Sequence, residues 1–347
     1  MKNILVITTG GTIACTNTGT GLVPTMTGEQ MLALVPQCRH YANLTCKALM
    51  NLDSTNIQPE DCRRIAEAIR DEKEQYDGIV VLHGTDTMAY SAAAVSFMTL
   101  GVQKPVVFTG AQIPISQPDS DAFKNLSDAV YTAAMIPLSG VYVVFCGRII
   151  NGSSVCKTDT QAFDAFSSVN TVDVGEVDSA RAHLAIRYAP IRDSRDVSWR
   201  VSISADVLLL KLYPGARPSL LDYEAVKTYR TVILEAFGAG GIPALERSFL
   251  PQIRELCAHK ILTVITTQCW HGASDISIYE VGRNAAQCGA VSAGYISGAA
   301  LVSKMMWAVS ITDDFETLKQ ILMTDYCGEF GHFGDGDGLP SAHAATA

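Results

Sequence analysis

The fold is decided by a short stretch in which an apolar run gives way to small and hydroxylated residues, DGIVVLHGTDTMAYS at residues 77–91. Ile79–Leu82 form a continuous apolar run, which is typical of a strand covered on both faces in a parallel sheet. Gly84 permits a tight turn, and Thr85–Thr87 follow at positions where helix N-caps belong. The stretch therefore predicts a strand, a turn and a helix over 88–100. In open α/β sheets, ligands bind at this end of the strands.

A second stretch, near the start of the chain, has the same design. Ile4–Ile7 form an apolar strand, and the loop that follows carries Gly10, Gly11 and Thr12. A phosphate-binding loop is disfavoured, because the three-glycine spacing of dinucleotide-binding proteins and the Lys-Ser/Thr of a P-loop are both missing. What remains is a threonine hydroxyl beside two glycines, whose N–H groups can approach a ligand closely. We therefore expect two strand ends, each carrying a reactive threonine, to face one site.

Strands and helices alternate along most of the chain. The other predicted strands cover 44–50, 105–110, 140–146, 207–213, 231–237 and 261–266, and the other predicted helices cover 28–35, a segment from Pro59, 121–136, 219–228, 246–258, 280–288, 297–308 and 314–324. Such alternation implies a parallel, doubly wound sheet. The segment 164–205, with hairpin-like pieces and several charged residues, breaks the pattern.

This break divides the chain into two predicted domains. We predict an α/β fold with a larger N-terminal, doubly wound and mostly parallel sheet in residues 1–187, a linker at 188–203 and a smaller C-terminal α/β domain at 204–333. The last residues, 334–347, are expected to be a disordered tail. A length of 347 residues suits about two such domains.

The composition is that of an ordinary globular protein and disfavours several classes of partner. The formal net charge of −9 disfavours nucleic acid and anionic membranes, because both bind basic surfaces. No apolar run approaches the ~18 residues of a membrane span, and the four apolar residues before Thr8 are too few for a signal peptide. The ten cysteines are scattered singly, without CxxC pairs. We therefore expect buried, reduced thiols in a cytoplasmic protein.

Neither a metal nor a cofactor is expected. Cys269 and His271 lie close together in the sequence, but no second pair completes a zinc site. The sequence GDGDG at 334–338 resembles part of a calcium loop, yet it lacks the later glutamate.

Two motifs resemble the signatures of a known family. The sequences TGGTIA at Thr9–Ala14 and HGTDTM at His83–Met88 are similar to the two signature motifs of the bacterial-type L-asparaginase family, most closely its type I, cytoplasmic branch. The likeness continues at residues 49–55, 120–121, 125–126, 157, 163–166 and 328–329. Both motifs in this order make the resemblance specific, and it implies the same two-domain α/β fold.

The resemblance also implies a reaction, the hydrolysis of L-asparagine to L-aspartate and ammonia, without a metal or cofactor, in a homodimer or homotetramer. It implies that Thr12 forms the acyl-enzyme and that Thr85, Asp86 and Lys157 assist. The residue types suit these roles, because a threonine hydroxyl is a poor nucleophile until another group takes its proton. A lysine held neutral by burial could accept the proton of Thr85, while Asp86 orients the pair.

Further residues at strand ends are expected to bind the substrate. Glycine-flanked backbone N–H groups at Gly11–Thr12 and Gly84–Thr85 could supply an oxyanion hole for a tetrahedral intermediate. Asp53, Ser54 and Thr55 lie at the end of a third predicted strand. The resemblance implies that Asp53 and Ser54 hold the α-amino and α-carboxylate groups of the substrate.

One position departs from the family pattern. Many relatives place a tyrosine in the loop after the first motif, where this chain has Leu22, which cannot move a proton. This loop includes the polar stretch Thr16–Gly21, which we predict to be a mobile lid. Tyr279 is the predicted replacement for the tyrosine, because it lies in a polar loop at the ligand-facing end of the second domain. We expect its phenol to be partly buried and to reach Thr12 when ligand is bound.

Three alternatives remain open. A glutaminase of the same fold would differ in room for one methylene group, a discrimination of about 1–3 kcal/mol. The related subunit of the tRNA-dependent amidotransferase shares the motifs but carries an extra N-terminal domain, whereas this chain begins directly at the first motif. A non-catalytic amino-acid sensor would bind aspartate without releasing ammonia, and the intact Thr12 and Thr85 argue against it.

Overall fold

The computed structural model describes residues 1–19, 21–190 and 200–331. The first part of the chain contains β1 (Lys2–Gly10), β2 (Cys15–Asn17), β3 (Leu22–Pro24), α1 (Gly28–Leu34), α2 (Cys38–Tyr41), β4 (Ala42–Leu52), α3 (Pro59–Glu72), β5 (Gly78–Leu82), α4 (Met88–Met98), β6 (Pro105–Thr109), α5 (Ala122–Met135), β7 (Gly140–Phe145), β8 (Arg148–Asn151), β9 (Val155–Lys157), β10 (Phe166–Ser168), β11 (Gly175–Asp178) and β12 (His183–Ile186). The second part contains β13 (Val207–Lys211), α6 (Tyr223–Val226), β14 (Thr231–Ala236), α7 (Leu250–Ala258), β15 (Leu262–Thr267), α8 (Glu280–Gln287), β16 (Val291–Ser292), α9 (Gly298–Ile311) and α10 (Phe315–Leu322).

Eight strands form the main sheet, in the order β12-β11-β8-β7-β6-β5-β1-β4. The five strands β4, β1, β5, β6 and β7 are parallel, and the remaining pairs are antiparallel. Counted along the chain, the parallel strands lie in the order 2-1-3-4-5, so the direction of winding reverses between β1 and β5. The loops after β1 and β5 therefore flank the crevice in which α/β sheets of this kind bind ligands.

The parallel strands of the main sheet are covered on both faces. Every residue of β5, β6 and β7 is buried, as the continuous apolar runs predicted. Helices α3 and α4 pack on one face, whereas α1, α2 and α5 pack on the other. This arrangement confirms the predicted doubly wound, mostly parallel sheet.

The second part of the chain forms a smaller parallel sheet, in the order β13-β14-β15-β16. Its helix α9 packs against α4 of the first part, where the rings of Phe97 and Trp307 stack with centroids 6.0 Å apart. A single apolar cluster contains residues of both sheets as well as both helices. The predicted smaller α/β domain is therefore present, and the apolar core on one face of its sheet is continuous with that of the larger domain.

The structure corrects two predicted elements. The predicted helix 219–228 is wrong, because this segment forms a 3-10 turn at Pro218–Leu221 and the single-turn helix α6. Between them Asp222 has φ −57° and ψ 136°, which no α-helix contains. The helix predicted from residue 246 begins at Leu250, with Pro251 in its first turn, where the missing N–H needs no partner.

Several predictions concern segments or groups outside the two sheets. The predicted tail 334–347 lies outside the described residues, as do residues 191–199 of the predicted linker. Across the described residues, no helix combines the length and the apolar character needed to cross a membrane. In the same residues, no cluster of His, Cys, Asp and Glu side chains could hold a metal ion. All ten cysteines are free thiols, and Cys269 is the exposed one.

Candidate active site

The carboxyl ends of β1, β4 and β5 meet at the point where the winding reverses. Gly11, after β1, has φ 79° and packs against Gly84, after β5, so closely that a methyl group on Gly11 would lie 2.3 Å from the Cα of Gly84. A methyl group on Gly84 would lie 2.6 Å from the Oγ of Ser54, after β4. Glycine is therefore required at both positions. Their close packing brings the loops that carry Thr12, Ser54 and Thr85 together.

Lys157, the last residue of β9, reaches the loop after β5. Its Nζ donates hydrogen bonds to Thr85 Oγ1 at 2.8 Å and to Asp86 Oδ1 at 2.7 Å. Thr85 is buried and the side chain of Lys157 is 16% exposed, whereas that of Asp86 is 54% exposed. The three residues predicted to act together are thus in direct contact, with the carboxylate at the solvent edge.

Gln112, which no sequence motif singles out, completes the surroundings of Thr85. Its Oε1 accepts a hydrogen bond from Thr85 Oγ1 at 3.2 Å, and its Nε2 donates to the carbonyl of Ala162 at 3.2 Å. Its backbone N–H donates to the carboxylate of Asp121 at 3.0 Å. Gln112 follows β6, and the pairing of β6 with β5 in the sheet, rather than a sequence signal, brings it to Thr85.

Two backbone N–H groups at this meeting point, those of Thr12 and Thr85, have no hydrogen-bond partner within the described residues. The direction of the Thr85 N–H is set by His83, whose Nδ1 lies 2.7 Å from the carbonyl oxygen of Gly84. A carbonyl can only accept, so Nδ1 carries the proton. In a trans peptide the C=O and N–H point in opposite directions, so the Thr85 N–H points away from His83. Unpaired N–H donors at two adjacent strand ends are what an oxyanion hole requires.

His83 should make the protein less stable in mild acid. The imidazole is fully buried, and its Nε2 has no hydrogen-bond partner among the described residues. Burial lowers the pKa of His83 from 6.5 to about 4, although its hydrogen bond to Gly84 acts in the other direction. Between these two values the unfolded chain binds a proton that the folded chain does not. The free energy of unfolding should therefore fall by up to about 3 kcal/mol as the pH falls from 6.5 to 4.

Urea unfolding at several pH values measures how far the free energy of unfolding falls in acid. In His83→Asn, whose amide keeps a donor near the Gly84 carbonyl, this free energy should fall less than in the parent protein. In His40→Gln, which removes an exposed histidine, it should fall as far as in the parent protein. An equal pH dependence in the parent protein and in His83→Asn would contradict the assignment.

Asp53 and Ser54 bring polar groups to the same edge of the sheet. Asp53 is exposed, and its Oδ1 accepts hydrogen bonds from the backbone N–H of Thr55 at 2.9 Å and from its hydroxyl at 2.8 Å. Ser54 is buried, with its Oγ accepting from the N–H of Asp86 at 3.2 Å and its carbonyl accepting from Thr87 Oγ1 at 2.8 Å. The polar groups of Thr55 are thus turned toward Asp53, which leaves the second carboxylate oxygen of Asp53 for a ligand.

Thr12 begins a 3-10 turn, Thr12–Ala14, and is partly exposed at the mouth of the crevice. The strands β2 and β3 that follow pair as a hairpin, in which Thr16 Oγ1 and Thr25 Oγ1 lie 2.7 Å apart. Of the predicted lid, Thr16 and Asn17 lie in β2, whereas residue 20 lies outside the described residues. Leu22, which is 50% exposed, lies on this hairpin.

Tyr279 is not brought into this group. It is the N-cap residue of α8 and is 63% exposed, so the phenol lies largely in solvent rather than being packed between the domains. A cavity of about 260 Å³ at the junction of the two sheets is lined by Asp86 and Lys157 together with Glu235 and Trp270, and Tyr279 does not line it. Its contact with Thr12 stays a prediction for the complex with substrate.

Known proteins resemble the chain over almost its whole length. The family model described as Asparaginase, N-terminal matches residues 3–191, and that of the Glutaminase/Asparaginase C-terminal domain matches residues 206–322. An L-asparaginase of Thermococcus kodakarensis is 37% identical over 94% of this chain and 98% of its own length. A glutamyl-tRNA(Gln) amidotransferase subunit of Methanosphaera stadtmanae is 31% identical over 94% of this chain and 76% of that protein.

Solved structures agree with these matches. The thermostable L-asparaginase from Thermococcus kodakarensis superposes with a TM-score of 0.87 at 36% identity, over 94% of this chain and 98% of that one. L-asparaginase I from Vibrio cholerae superposes with a TM-score of 0.84 at 28% identity, over the same shares of the two chains. By its sequence, its fold and these relatives, the chain belongs to the bacterial-type L-asparaginase family of amide hydrolases, in its type I branch.

Proposed function

We propose that the protein hydrolyses L-asparagine to L-aspartate and ammonia through an ester formed on Thr12. The observation that carries the proposal is the contact of Lys157 with Thr85 and Asp86, at the strand ends that also present Thr12 and two unpaired N–H groups. A nucleophile, a proton relay and oxyanion donors in one crevice are the parts that acyl transfer requires.

The proposed reaction has two stages. First, Thr12 Oγ attacks the side-chain amide carbon and gives up its proton, and the N–H groups of Thr12 and Thr85 stabilise the negative charge on the amide oxygen. The C–N bond then breaks, and the nitrogen takes a proton and leaves as ammonia, so that Thr12 carries a β-aspartyl ester. In the second stage water attacks the ester, which releases aspartate and restores the hydroxyl of Thr12.

Lys157 and Thr85 carry protons in these steps. As the structure stands, Lys157 donates to Thr85 Oγ1, and Thr85 donates to Gln112 Oε1. When the amine is neutral, the first contact can reverse, so that the Thr85 hydroxyl donates to Nζ and becomes the better acceptor for a proton from the reacting groups. Asp86, 2.7 Å from Nζ, keeps the amine directed at Thr85.

The head group of the substrate is assigned to the end of β4. Asp53 has a carboxylate oxygen to offer an α-ammonium group, and Asp86, half exposed nearby, adds a second negative charge. Ser54 and Thr55 place their backbone beside the α-carboxylate, while the hydroxyl of Thr55 keeps the Asp53 carboxylate in place. The backbone of Gly11 and Gly84 brings the oxyanion donors within reach of the side-chain amide.

An ammonia-release assay with L-asparagine and L-glutamine tests the proposal. We expect kcat/KM to be higher for asparagine by about tenfold or more, because the longer side chain needs room for one more methylene group. The second candidate, a glutaminase-asparaginase, is supported by the likeness to the amidotransferase subunit, and comparable kcat/KM values would establish it. Tight binding of aspartate without release of ammonia from either amide would instead establish the amino-acid sensor.

Tyr279→Phe should lower kcat about 10²-fold while leaving the free energy of unfolding unchanged. The proposal is that the exposed phenol moves to Thr12 when substrate is bound and takes the part of a lid tyrosine, because Leu22 cannot. Steady-state kinetics and urea unfolding of the variant measure the two quantities. Tyr213→Phe, which changes another exposed phenol of the second domain, is the control. Full activity in Tyr279→Phe would remove Tyr279 from the mechanism.

Assembly and location complete the proposal. We propose a homodimer or homotetramer in the cytoplasm that needs no cofactor and binds neither nucleic acid nor membrane, which agrees with the net charge of −9. Sedimentation velocity measures the oligomeric state. Full activity after dialysis against a chelator is the expected result for an enzyme without a metal.

A further inference from the structure

A buried ion pair lies outside the proposed active site and far from it along the chain. Lys304 on α9 and Glu329, near the end of the described residues, have fully buried side chains and form an ion pair of 2.7 Å. Lys304 Nζ also donates to the carbonyls of Leu322 at 3.0 Å and Thr324 at 2.6 Å. All three N–H donors of the ammonium group therefore have acceptors, as a buried charge requires.

The carboxylate of Glu329 organises the segment around it, which we name the C-terminal turn (Asp325–Gly331). It accepts hydrogen bonds from the backbone N–H groups of Tyr326 at 3.0 Å and Cys327 at 2.7 Å. Burial opposes ionisation, but the charge of Lys304 and hydrogen bonds with Asp325, Lys304 and the Cys327 N–H hold the pKa of Glu329 below its ordinary value. The charged pair thus fixes the backbone of the C-terminal turn to α9.

The carbonyl groups of the C-terminal turn in turn hold the connection between β8 and β9. Cys327 O accepts hydrogen bonds from Asn151 Nδ2 at 2.9 Å and Ser153 Oγ at 3.1 Å, and Gly328 O accepts from Ser154 Oγ at 3.3 Å. The side chains of Asn151, Ser153 and Ser154 are all buried. Val155, which follows Ser154, begins β9, and the third residue of this strand is Lys157.

Strand β9 lies between the C-terminal turn and the helices α4 and α9, on which it packs. It is three residues long and pairs with β10 in a two-stranded sheet that is separate from the main sheet. The C-terminal turn also contacts α4, where Cys327 Sγ lies 3.6 Å from the carbonyl of Ser96. Helix α4 follows the loop that carries Thr85 and Asp86. One turn therefore contacts the segment that precedes β9 and the helix that follows the Thr85 loop.

We propose that the Lys304–Glu329 ion pair, acting through the C-terminal turn and Asn151–Ser154, positions Lys157 against Thr85 and Asp86. This inference rests on the proposed function, since that function gives Lys157 its task. Lys304 and Glu329 touch no reacting atom and are positioning residues. Their removal should affect the proton steps rather than the binding of the substrate head group, which lies at the end of β4.

The first test weakens the connection in the full-length enzyme without creating an unpaired charge, and leaves the bond from Asn151 to Cys327 in place. The double variant Ser153→Ala/Ser154→Ala removes two buried hydroxyl groups that bond to the C-terminal turn. The control, Ser127→Ala/Ser179→Ala, removes two equally buried hydroxyl groups, 2.9 Å apart, which contact neither β9 nor the C-terminal turn. We expect kcat to fall about tenfold in the first variant, with KM within about twofold of the parent, and the control to retain its kcat. Equal kcat values in the two double variants would overturn the proposal.

The second test does not depend on activity. Acetylation of Lys157 by an amine-reactive ester, followed by mass spectrometry of the peptide, reports how freely Nζ leaves Thr85 and Asp86. We expect the rate to rise about threefold or more in Ser153→Ala/Ser154→Ala and in Glu329→Gln, and to stay at the parent value in the control. An unchanged rate in the serine variant would refute the positioning role, even if Glu329→Gln fails to fold. A parent protein that releases no ammonia would instead refute the proposed function, and the acetylation rate alone would then decide this inference.

Discussion

Alanine at Thr12 should lower kcat by about 10³-fold or more and leave the free energy of unfolding within about 1 kcal/mol of the parent value. The hydroxyl is the proposed nucleophile, and without it no ester can form. Folding should be unaffected, because Thr12 is partly exposed in a short turn and the change removes no buried apolar group. Ammonia release and urea unfolding measure the two quantities.

Two further variants define the cause of this loss. Thr12→Ser keeps a hydroxyl and should retain most of the activity, whereas Thr16→Ala removes a hydroxyl from the neighbouring hairpin and should cost less than tenfold. Mass spectrometry of enzyme quenched during turnover should find the β-aspartyl ester on the peptide that contains Thr12. Turnover of Thr12→Ala within tenfold of the parent would remove Thr12 as the nucleophile.

The second large loss of activity is expected when a group is removed from the proposed proton relay of Lys157, Thr85 and Asp86. Lys157→Met keeps an unbranched side chain of similar length but deletes Nζ, the atom that contacts both Thr85 and Asp86. Thr85→Val replaces one hydroxyl by a methyl group of nearly equal volume. Each variant should lower kcat about 10³-fold, because the proposed proton relay loses one of its groups. KM should change little, because Asp53 and Ser54, which are assigned to the substrate head group, are not altered. Steady-state kinetics with asparagine give both parameters.

The double variant Lys157→Met/Thr85→Val distinguishes a relay from two separate contributions. Groups that act as a unit lose little more when both are removed than when one is. Lys211→Met, which deletes another ammonium group that lines the cavity beside Lys157, controls for the loss of positive charge and should keep kcat within about threefold. Losses that multiply in the double variant would show that Lys157 and Thr85 do not share a proton pathway.

The sequence could predict the meeting of the two threonine loops because each follows a short apolar strand and ends in glycine and hydroxyl groups. The sequence pattern does not determine which strands are neighbours in the sheet. Gly11 and Gly84 meet because β1 and β5 are adjacent. The place of Lys157 followed from the family resemblance, since nothing in the composition of a three-residue strand indicates where its last side chain will reach.

Other features depend on contacts that a linear pattern does not contain. Gln112 lies near Thr85 because β6 pairs with β5 and because Asp121 holds the loop after β6, and neither fact is visible in the residues around Gln112. The predicted helix at 219–228 does not form because the extended backbone of Asp222 interrupts it. Lys304 and Glu329 are both ordinary surface residue types, and it is the fold that buries them as a pair.

The packing of α9 against α4 has a consequence for how the protein loses its structure. The apolar cluster that contains Leu5 and Ile79 of the larger sheet also contains Ile233 and Val264 of the smaller one. A chain cut between the two sheets would leave each half with a large apolar face in water, at a cost of about 25 cal/mol for every Å² uncovered. The two domains should therefore melt in a single cooperative transition, and limited proteolysis should yield neither half as a stable fragment.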